Sequence, residues 1–220
     1  VEARKEDLID LWYKNKETQI KQDIVKVKIR MKNIVIFGAP GSGKGTQSEN
    51  LIKTFNLAHI STGDLLRKEI HGNTQLGYLA KQHIDKGELV PDDVIIGMID
   101  SFLDKMGKVN GVIFDGFPRT VEQAKALKEM LATYKTDVSI MLNLEVPEEE
   151  LITRLLERGK TSGRSDDNME TIKKRIDVYN TQTKPVMEFY KAEGKLANIN
   201  GVGTIDGIFE KISEAINAVK

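Results

Sequence analysis

Ile34-Val35-Ile36-Phe37-Gly38-Ala39-Pro40-Gly41-Ser42-Gly43-Lys44-Gly45-Thr46 runs from four apolar residues straight into a glycine-rich turn that ends on a lysine. The apolar block reads as a buried strand, and the residues from Lys44 onward read as the start of a helix. Gly38 to Lys44 has the spacing of a phosphate-binding loop: a glycine, any four residues, then Gly-Lys. The hydroxyl residue expected next is displaced by one, with Gly45 in its place and Thr46 after it. The glycines let the backbone curl so that several N–H groups face one anion, at a helix N-terminus whose partial positive charge favours it. Lys44 adds a mobile cation for the terminal phosphates. A glycine turn alone would carry little. The full spacing between a strand and a helix points to a nucleoside triphosphate.

Outward from this loop, short apolar runs alternate with longer amphipathic ones, the pattern of a parallel sheet covered by helices. The further strands expected are Ala58 to Ile60, Val112 to Phe114, Val138 to Leu144 and Leu196 to Ile199, all read as apolar on both faces. Thr120 with Gln123 three residues later is a capping box that opens a helix from Val121 to Tyr134. Pro147 and three glutamates start another, running to about Arg158. Gly194 closes a helix before the last strand, and Thr204 opens a terminal one. Two stretches interrupt the alternation: Ser61 to Val90, with two helix-like segments, and Gly159 to Asn168, which reads as a flexible loop. The expected fold is a doubly wound five-stranded parallel α/β sheet of the phosphate-loop type, with ligands at the carboxyl ends of its strands.

Composition narrows the function. The 220 residues amount to one compact domain with insertions at ~150 residues per domain. With 33 basic and 33 acidic side chains, the neutral balance argues against a general nucleic-acid binder. No cysteine is present, which removes a disulfide framework, a thiol nucleophile and thiolate zinc sites, and suits a reducing compartment such as the cytoplasm. No apolar run approaches the ~20 residues of a membrane-spanning helix. Residues 1–30, with eight basic and six acidic side chains, read as an amphipathic, helical extension outside the catalytic fold, and are unlike a secretory signal or a mitochondrial presequence.

Four further segments carry chemistry: Ser61-Thr-Gly-Asp-Leu-Leu-Arg67, Gly87-Glu-Leu-Val-Pro-Asp92, Asp115-Gly-Phe-Pro-Arg-Thr120 and Arg158-Gly-Lys-Thr-Ser-Gly-Arg164-Ser-Asp-Asp-Asn168. Asp115 ends an apolar strand, where a carboxylate can hold the water shell of Mg²⁺, and Arg119 is a planar fork suited to a monophosphate. Arg154 and Arg158, four apart, share one helix face. An arginine run is usually a solvated surface, yet phosphoryl transfer needs such cations because no covalent intermediate carries the charge.

Together with Gly38-Ala-Pro-Gly-Ser-Gly-Lys-Gly-Thr-Gln47, these segments resemble the adenylate kinase family of nucleoside monophosphate kinases, in its short-lid form. The resemblance covers Met31 to the C-terminus, with 61–90 as an inserted monophosphate-binding unit and 158–168 as the lid. It implies transfer of the terminal phosphoryl group of Mg-ATP to AMP, giving two ADP. On the ATP side it implies Gly41, Ser42, Gly43, Lys44, Gly45, Thr46, Arg154, Arg158 and the backbone of Gly203. On the AMP side it implies Thr62, Arg67, Glu88, Leu89, Val90, Gly116, Phe117, Pro118, Arg119 and Gln123, the last hydrogen-bonding the acceptor adenine. Arg164 and Arg175 would serve both phosphates, so Lys44, Arg119, Arg158, Arg164 and Arg175 form the implied catalytic set. Asp64 and Asp115 would hold Mg²⁺ through water, and Asp166 and Asp167 would orient the lid. The lid lacks the length and cysteines of zinc-bearing forms, so no zinc is expected. Partners other than ATP, AMP and ADP are not expected, and neither is an oligomer. Rival readings are a pyrimidine monophosphate kinase, which Thr62 and Gln123 disfavour, and a nucleotide-sensing module, which the arginine set disfavours. A phosphate-loop GTPase is disfavoured because no Asn-Lys-x-Asp motif occurs.

Overall fold

A computed structural model describes residues 32–107 and 109–219; the extension expected over 1–30 lies outside the described residues. In chain order the elements are β1 (Asn33–Phe37), α1 (Lys44–Phe55), β2 (Ala58–Ser61), α2 (Thr62–His71), α3 (Gln75–Ile84), α4 (Asp92–Lys105) and β3 (Val112–Asp115). Then follow α5 (Val121–Thr133), β4 (Val138–Glu145), α6 (Glu148–Ser162), α7 (Met169–Val178), a π-helical turn (Tyr179–Thr183), α8 (Val186–Ala192), β5 (Leu196–Asn200) and α9 (Ile205–Ala218).

The five strands form one parallel sheet in the order β2-β3-β1-β4-β5. β1 is central, with Ile34 opposite Ile113 on one side and Ile140 on the other. Successive side chains point to opposite faces, so each strand feeds two cores. Ile34, Ile36, Ile113, Ile140 and Leu142 pack with Leu51 of α1 and Ile208, Ile212 and Ile216 of α9. Val35, Phe37, Phe114 and Met141 pack with Ile99 of α4, Leu127 and Leu131 of α5, and Tyr190 of α8. The chain steps outward from β1 to β2, returns to β3, then crosses to β4. The connections therefore diverge around β1, and a crevice opens at its carboxyl end.

Helix starts follow their caps. Thr120 Oγ accepts from the Gln123 N–H at the start of α5, and Thr204 Oγ accepts from the Gly207 N–H at the start of α9. Glu148, Glu149 and Glu150 occupy the first turn of α6, where negative charge is favourable.

Two expectations are corrected. The helix after Pro147 does not stop near Arg158 but continues to Ser162, so only 163–168 of the expected loop is non-helical. Gly159 sits inside the helix, where a glycine is useful. A Cβ there would lie 2.8 Å from the Asp167 carbonyl oxygen, so its absence lets the returning chain pack against α6. Nor are all strands apolar on both faces. In β5 Ile199 alone is buried, while Asn198 and Asn200 are exposed, because an edge strand is flanked by only one neighbour.

Candidate active site

At the carboxyl end of β1, the loop Gly38 to Gly43 leads into α1 at Lys44. Gly43 takes the N-cap position with φ 95°, a left-handed conformation natural to glycine, and no side chain caps the helix there. The first N–H groups of α1 therefore remain available to an anion. Nothing within 4 Å would meet a Cβ at Gly43 or Gly45, so a bulky ligand can approach the backbone closely. Lys44 Nζ lies back along its own loop, donating to the carbonyls of Gly38 (2.8 Å) and Ala39 (2.9 Å).

The carboxyl end of β3 brings the second set. Arg119 Nε donates to the Gly116 carbonyl (2.8 Å), and the Thr62 hydroxyl donates to the same oxygen (2.9 Å). One carbonyl thus ties the start of α2 to the turn after β3. Arg67, one helical turn along α2, donates to Asp64 Oδ1 at 2.5 Å. Gln123 is 2% exposed, with its carbonyl accepting from the Arg119 N–H (2.7 Å) and its amide donating to Asp92 (2.8 Å).

The lid end is organised around Asp167, whose carboxylate has no exposed surface. Arg158 forks onto both its oxygens, through Nε and Nη2, each at 2.7 Å. Arg175 Nη1 adds 3.0 Å to Asp167 Oδ1 and 2.8 Å to Asp166 Oδ2. The planar, five-donor guanidinium suits this shared fork, and the two aspartates hold both arginines against the cleft. Arg154 donates to Glu150 (2.8 Å) and to the Gly201 carbonyl (3.2 Å), which ties α6 to the loop after β5. Ser165 donates to Asp85 at 2.8 Å, a direct contact between the segment 163–168 and the end of α3.

The phosphate loop, Gln123 and the cations Arg67, Arg119, Arg154, Arg158 and Arg175 meet in one cleft of about 620 Å³. Its cations are held under electrostatic stress. Burial pulls Lys44 from its ordinary 10.5 down to about 8; nearby Asp115 offsets part of this, while Arg119, Arg175 and Arg158 repel it further. Burial, then the charge of Arg175, brings Arg119 to about 10. Arg164 and Arg175 are also lowered, chiefly by burial. Lys44, at about 8, and Arg119, at about 10, remain charged at neutral pH. A cluster of buried like charges is an unfavourable arrangement that a polyanion relieves, so the cleft is built to take phosphates.

Nearly every residue expected at the site lines this cleft: Gly41, Gly43, Lys44, Gly45 and Thr46; Thr62, Asp64, Arg67, Glu88, Leu89 and Val90; Asp115, Gly116, Pro118, Arg119 and Gln123; Arg154, Arg158, Arg164 and Arg175. Three are not brought to its wall. Ser42 is buried beneath the loop, and the Phe117 ring belongs to the hydrophobic core. Gly203 lies in the turn between β5 and α9, outside the lining residues.

Other residues at the site carry little sequence signal. Asp92, which supports Gln123 from behind and does not line the cleft, falls inside a quoted segment, but nothing in the sequence pairs it with Thr120 and Gln123 (28 and 31 residues on). Tyr179 and Thr183 line the cleft from the π-helical turn, with the Tyr179 ring 5.9 Å from that of Phe37. Pro185, just beyond, was the available sign of an interrupted helix.

Among the described residues, no group of three or more His, Cys, Asp or Glu is arranged to hold a metal ion, and no helix is long and apolar enough to cross a membrane.

The model of the family described as adenylate kinase matches residues 36–195. An adenylate kinase of Parabacteroides distasonis is 63% identical over 190 residues, which are 86% of this chain and the whole of that protein. One of Bacteroides fragilis is 59% identical over 189 residues, again 86% of this chain and the whole of the relative. One of Porphyromonas gingivalis is 52% identical over 187 residues, 85% of this chain and 96% of the relative. A family match that spans the phosphate loop, the cleft arginines and the lid, on a sheet of this order, leads to one conclusion: the chain belongs to the adenylate kinase family, enzymes that transfer a phosphoryl group between adenine nucleotides.

Proposed function

We propose that the chain catalyses the reversible transfer of the terminal phosphoryl group of Mg-ATP to AMP, yielding two ADP. The observation that carries the reading is the convergence of Lys44, Arg119, Arg164 and Arg175, all lowered by burial, on one cleft that includes a phosphate loop. An oxygen of the AMP phosphate forms the new bond to the terminal phosphorus of ATP. The bond from that phosphorus to the bridging oxygen breaks, and its electron pair leaves with ADP. The loop N–H groups and Lys44 hold the ATP phosphates, and Arg67 and Arg119 fork onto the acceptor phosphate. Arg158, Arg164 and Arg175 balance the charge that shifts during transfer, so catalysis is positioning plus preorganised electrostatics. Arg154 is assigned to the ATP base side, with Gly203 beside it. Thr62, Glu88, Leu89, Val90, Gly116, Phe117, Pro118 and Gln123 are assigned to the AMP side. Contact between the lid at Ser165 and the inserted unit at Asp85 supports a closed form that keeps water from the phosphoryl group.

The hard oxygen donors of Asp115 and Asp64 fit a magnesium ion that arrives with ATP and keeps part of its water shell. Asp115 is the better placed, since it acts electrostatically on Lys44, whereas Asp64 is engaged by Arg67. When bound, the ion neutralises phosphate charge and aligns the ATP oxygens. The reading extends to a monomer, without zinc, working in the cytoplasm.

A coupled assay for ADP with AMP, CMP, UMP and GMP as acceptors tests it, with chelation and readdition of Mg²⁺. AMP should be the best acceptor, with activity lost on chelation and restored by Mg²⁺. A pyrimidine monophosphate preferred over AMP, or ADP formation that ignores the chelator, would overturn it.

A further inference from the structure

We propose that Asp92 is a positioning residue that locks the Gln123 amide one way round, and so selects an adenine acceptor over an isosteric 6-oxopurine; this rests on the reading that Gln123 lies against the acceptor base. Both ends of the Gln123 amide are held. Nε2 donates to Asp92 Oδ1 at 2.8 Å, and Oε1 accepts from the Arg119 N–H at 2.7 Å. A carboxylate can only accept and a backbone N–H can only donate, so the partners themselves decide which end is nitrogen. Turned by 180°, the amide would set NH₂ against N–H and C=O against a carboxylate, two repulsive contacts at a buried side chain.

Asp92 is held in turn. Thr120 Oγ accepts from the Gln123 N–H (3.1 Å), and its own proton goes to Asp92 Oδ2 (2.7 Å). The carboxylate thus accepts one hydrogen bond from Thr120 and one from Gln123, and bridges the first turn of α4 to the first turn of α5.

The remaining valences state the recognition. Gln123 Nε2 has one proton left, and Oε1 has one lone pair left. A donor beside an acceptor complements adenine, whose N1 accepts and whose 6-amino group donates. Hypoxanthine has the same shape but reverses the edge, with N1–H and O6. It would need the turned amide that Asp92 and the Arg119 N–H oppose. Specificity of this kind comes from leaving a buried polar group mispaired with the wrong base.

The test measures kcat and KM for AMP and IMP at saturating Mg-ATP in Asp92→Ala, Asp92→Asn, Gln123→Ala and the Asp92→Ala/Gln123→Ala double variant. Asp92→Ala should raise KM for AMP about tenfold and lower the AMP-over-IMP ratio of kcat/KM about tenfold, with KM for ATP unchanged. Asp92→Asn should retain most of the ratio, since its carbonyl still accepts from Gln123 and its amide can donate to Thr120. In the Gln123→Ala background, removing Asp92 should leave the ratio where Gln123→Ala put it. Asp92→Ser is too short to reach Gln123 but stays polar at the helix start, so it carries the same expectation as Asp92→Ala if that variant does not fold. An equal loss for AMP and IMP would mean that Asp92 only ties two helices together, and would overturn the proposal. So would a ratio change that persists without Gln123. A Gln123→Ala variant with an unaltered ratio would instead overturn the placement of Gln123 at the base.

Discussion

Replacing Lys44 with methionine separates the cost of burying this cation from its use in catalysis. Its pKa falls from 10.5 to about 8 on folding, mainly through burial. A difference of about 2.5 units at ~1.4 kcal/mol each is a penalty on the order of 3 kcal/mol. The sign follows from proton binding. Below pH 8 the lysine is charged in both folded and unfolded chains, and the penalty is full. From pH 8 to 10.5 the unfolded chain binds the proton more, so this group's penalty fades as pH rises. Between pH 7 and pH 9.5 the relief should be about 2 kcal/mol. Methionine carries no such penalty, but it leaves the Gly38 and Ala39 carbonyls without their donor, at about 1–3 kcal/mol, so the two proteins should be close in stability at pH 7. Urea denaturation of both at pH 7 and pH 9.5 cancels every other titrating group. The native protein should gain about 2 kcal/mol on the variant at the higher pH. At pH 7 the variant should stay folded while losing at least about 1,000-fold in kcat, because its cation would be strongest against the shifting phosphoryl charge. A stability difference that does not change with pH would refute the burial argument. Near-normal kcat in the folded variant would refute the assignment of Lys44 to the transferred group.

Arg67→Ala and Arg119→Ala should each raise KM for AMP by roughly 10- to 100-fold while changing ATP affinity, read by calorimetry, by less than about twofold; equal weakening of both nucleotides would place these forks on the wrong side. Asp167→Ala takes from Arg158 the carboxylate it forks onto and leaves Arg175 with Asp166 alone, and should lower stability in urea by about 3 kcal/mol, the low end for a broken buried pair because Arg158 is a third exposed and Arg175 keeps a partner. Burial raises the Asp167 pKa, but the hydrogen bond and charge of Arg158, with Arg175 and Arg164, outweigh it and hold the carboxyl below 3.8. Its stabilisation is therefore full at neutral pH and is lost as pH falls through that lowered value, so the variant's difference from the native protein should shrink in acid. A protein beginning at Met31 should keep its melting temperature within about 2 °C and its AMP-dependent activity, since β1 starts at Asn33 and the family match at residue 36; a larger drop would show that residues 1–30 support the fold.

Where information is local, the sequence was sufficient. Buried parallel strands must be apolar on both faces, so β1, β3 and β4 stand out as continuous runs without any knowledge of their neighbours. Capping is likewise a matter of residues three apart, and Thr120 and Thr204 cap where they were expected to. The phosphate loop is a seven-residue spacing, and with the strand ends it marks where the crevice lies. What the tertiary structure decided is every relation across the chain. Gly159 read as a loop residue because its effect depends on Asp167 packing against it from eight residues away. Arg119 in a turn and Arg175 on a helix became part of a stressed cationic cluster only once the fold buried them beside Lys44. Asp92 shows the limit most plainly. Its partners on α5 lie 28 and 31 residues away, and no periodicity connects them. Secondary structure is written in short-range sterics and hydrogen bonds, whereas burial, charge coupling and the handedness of a buried amide exist only after distant segments have met.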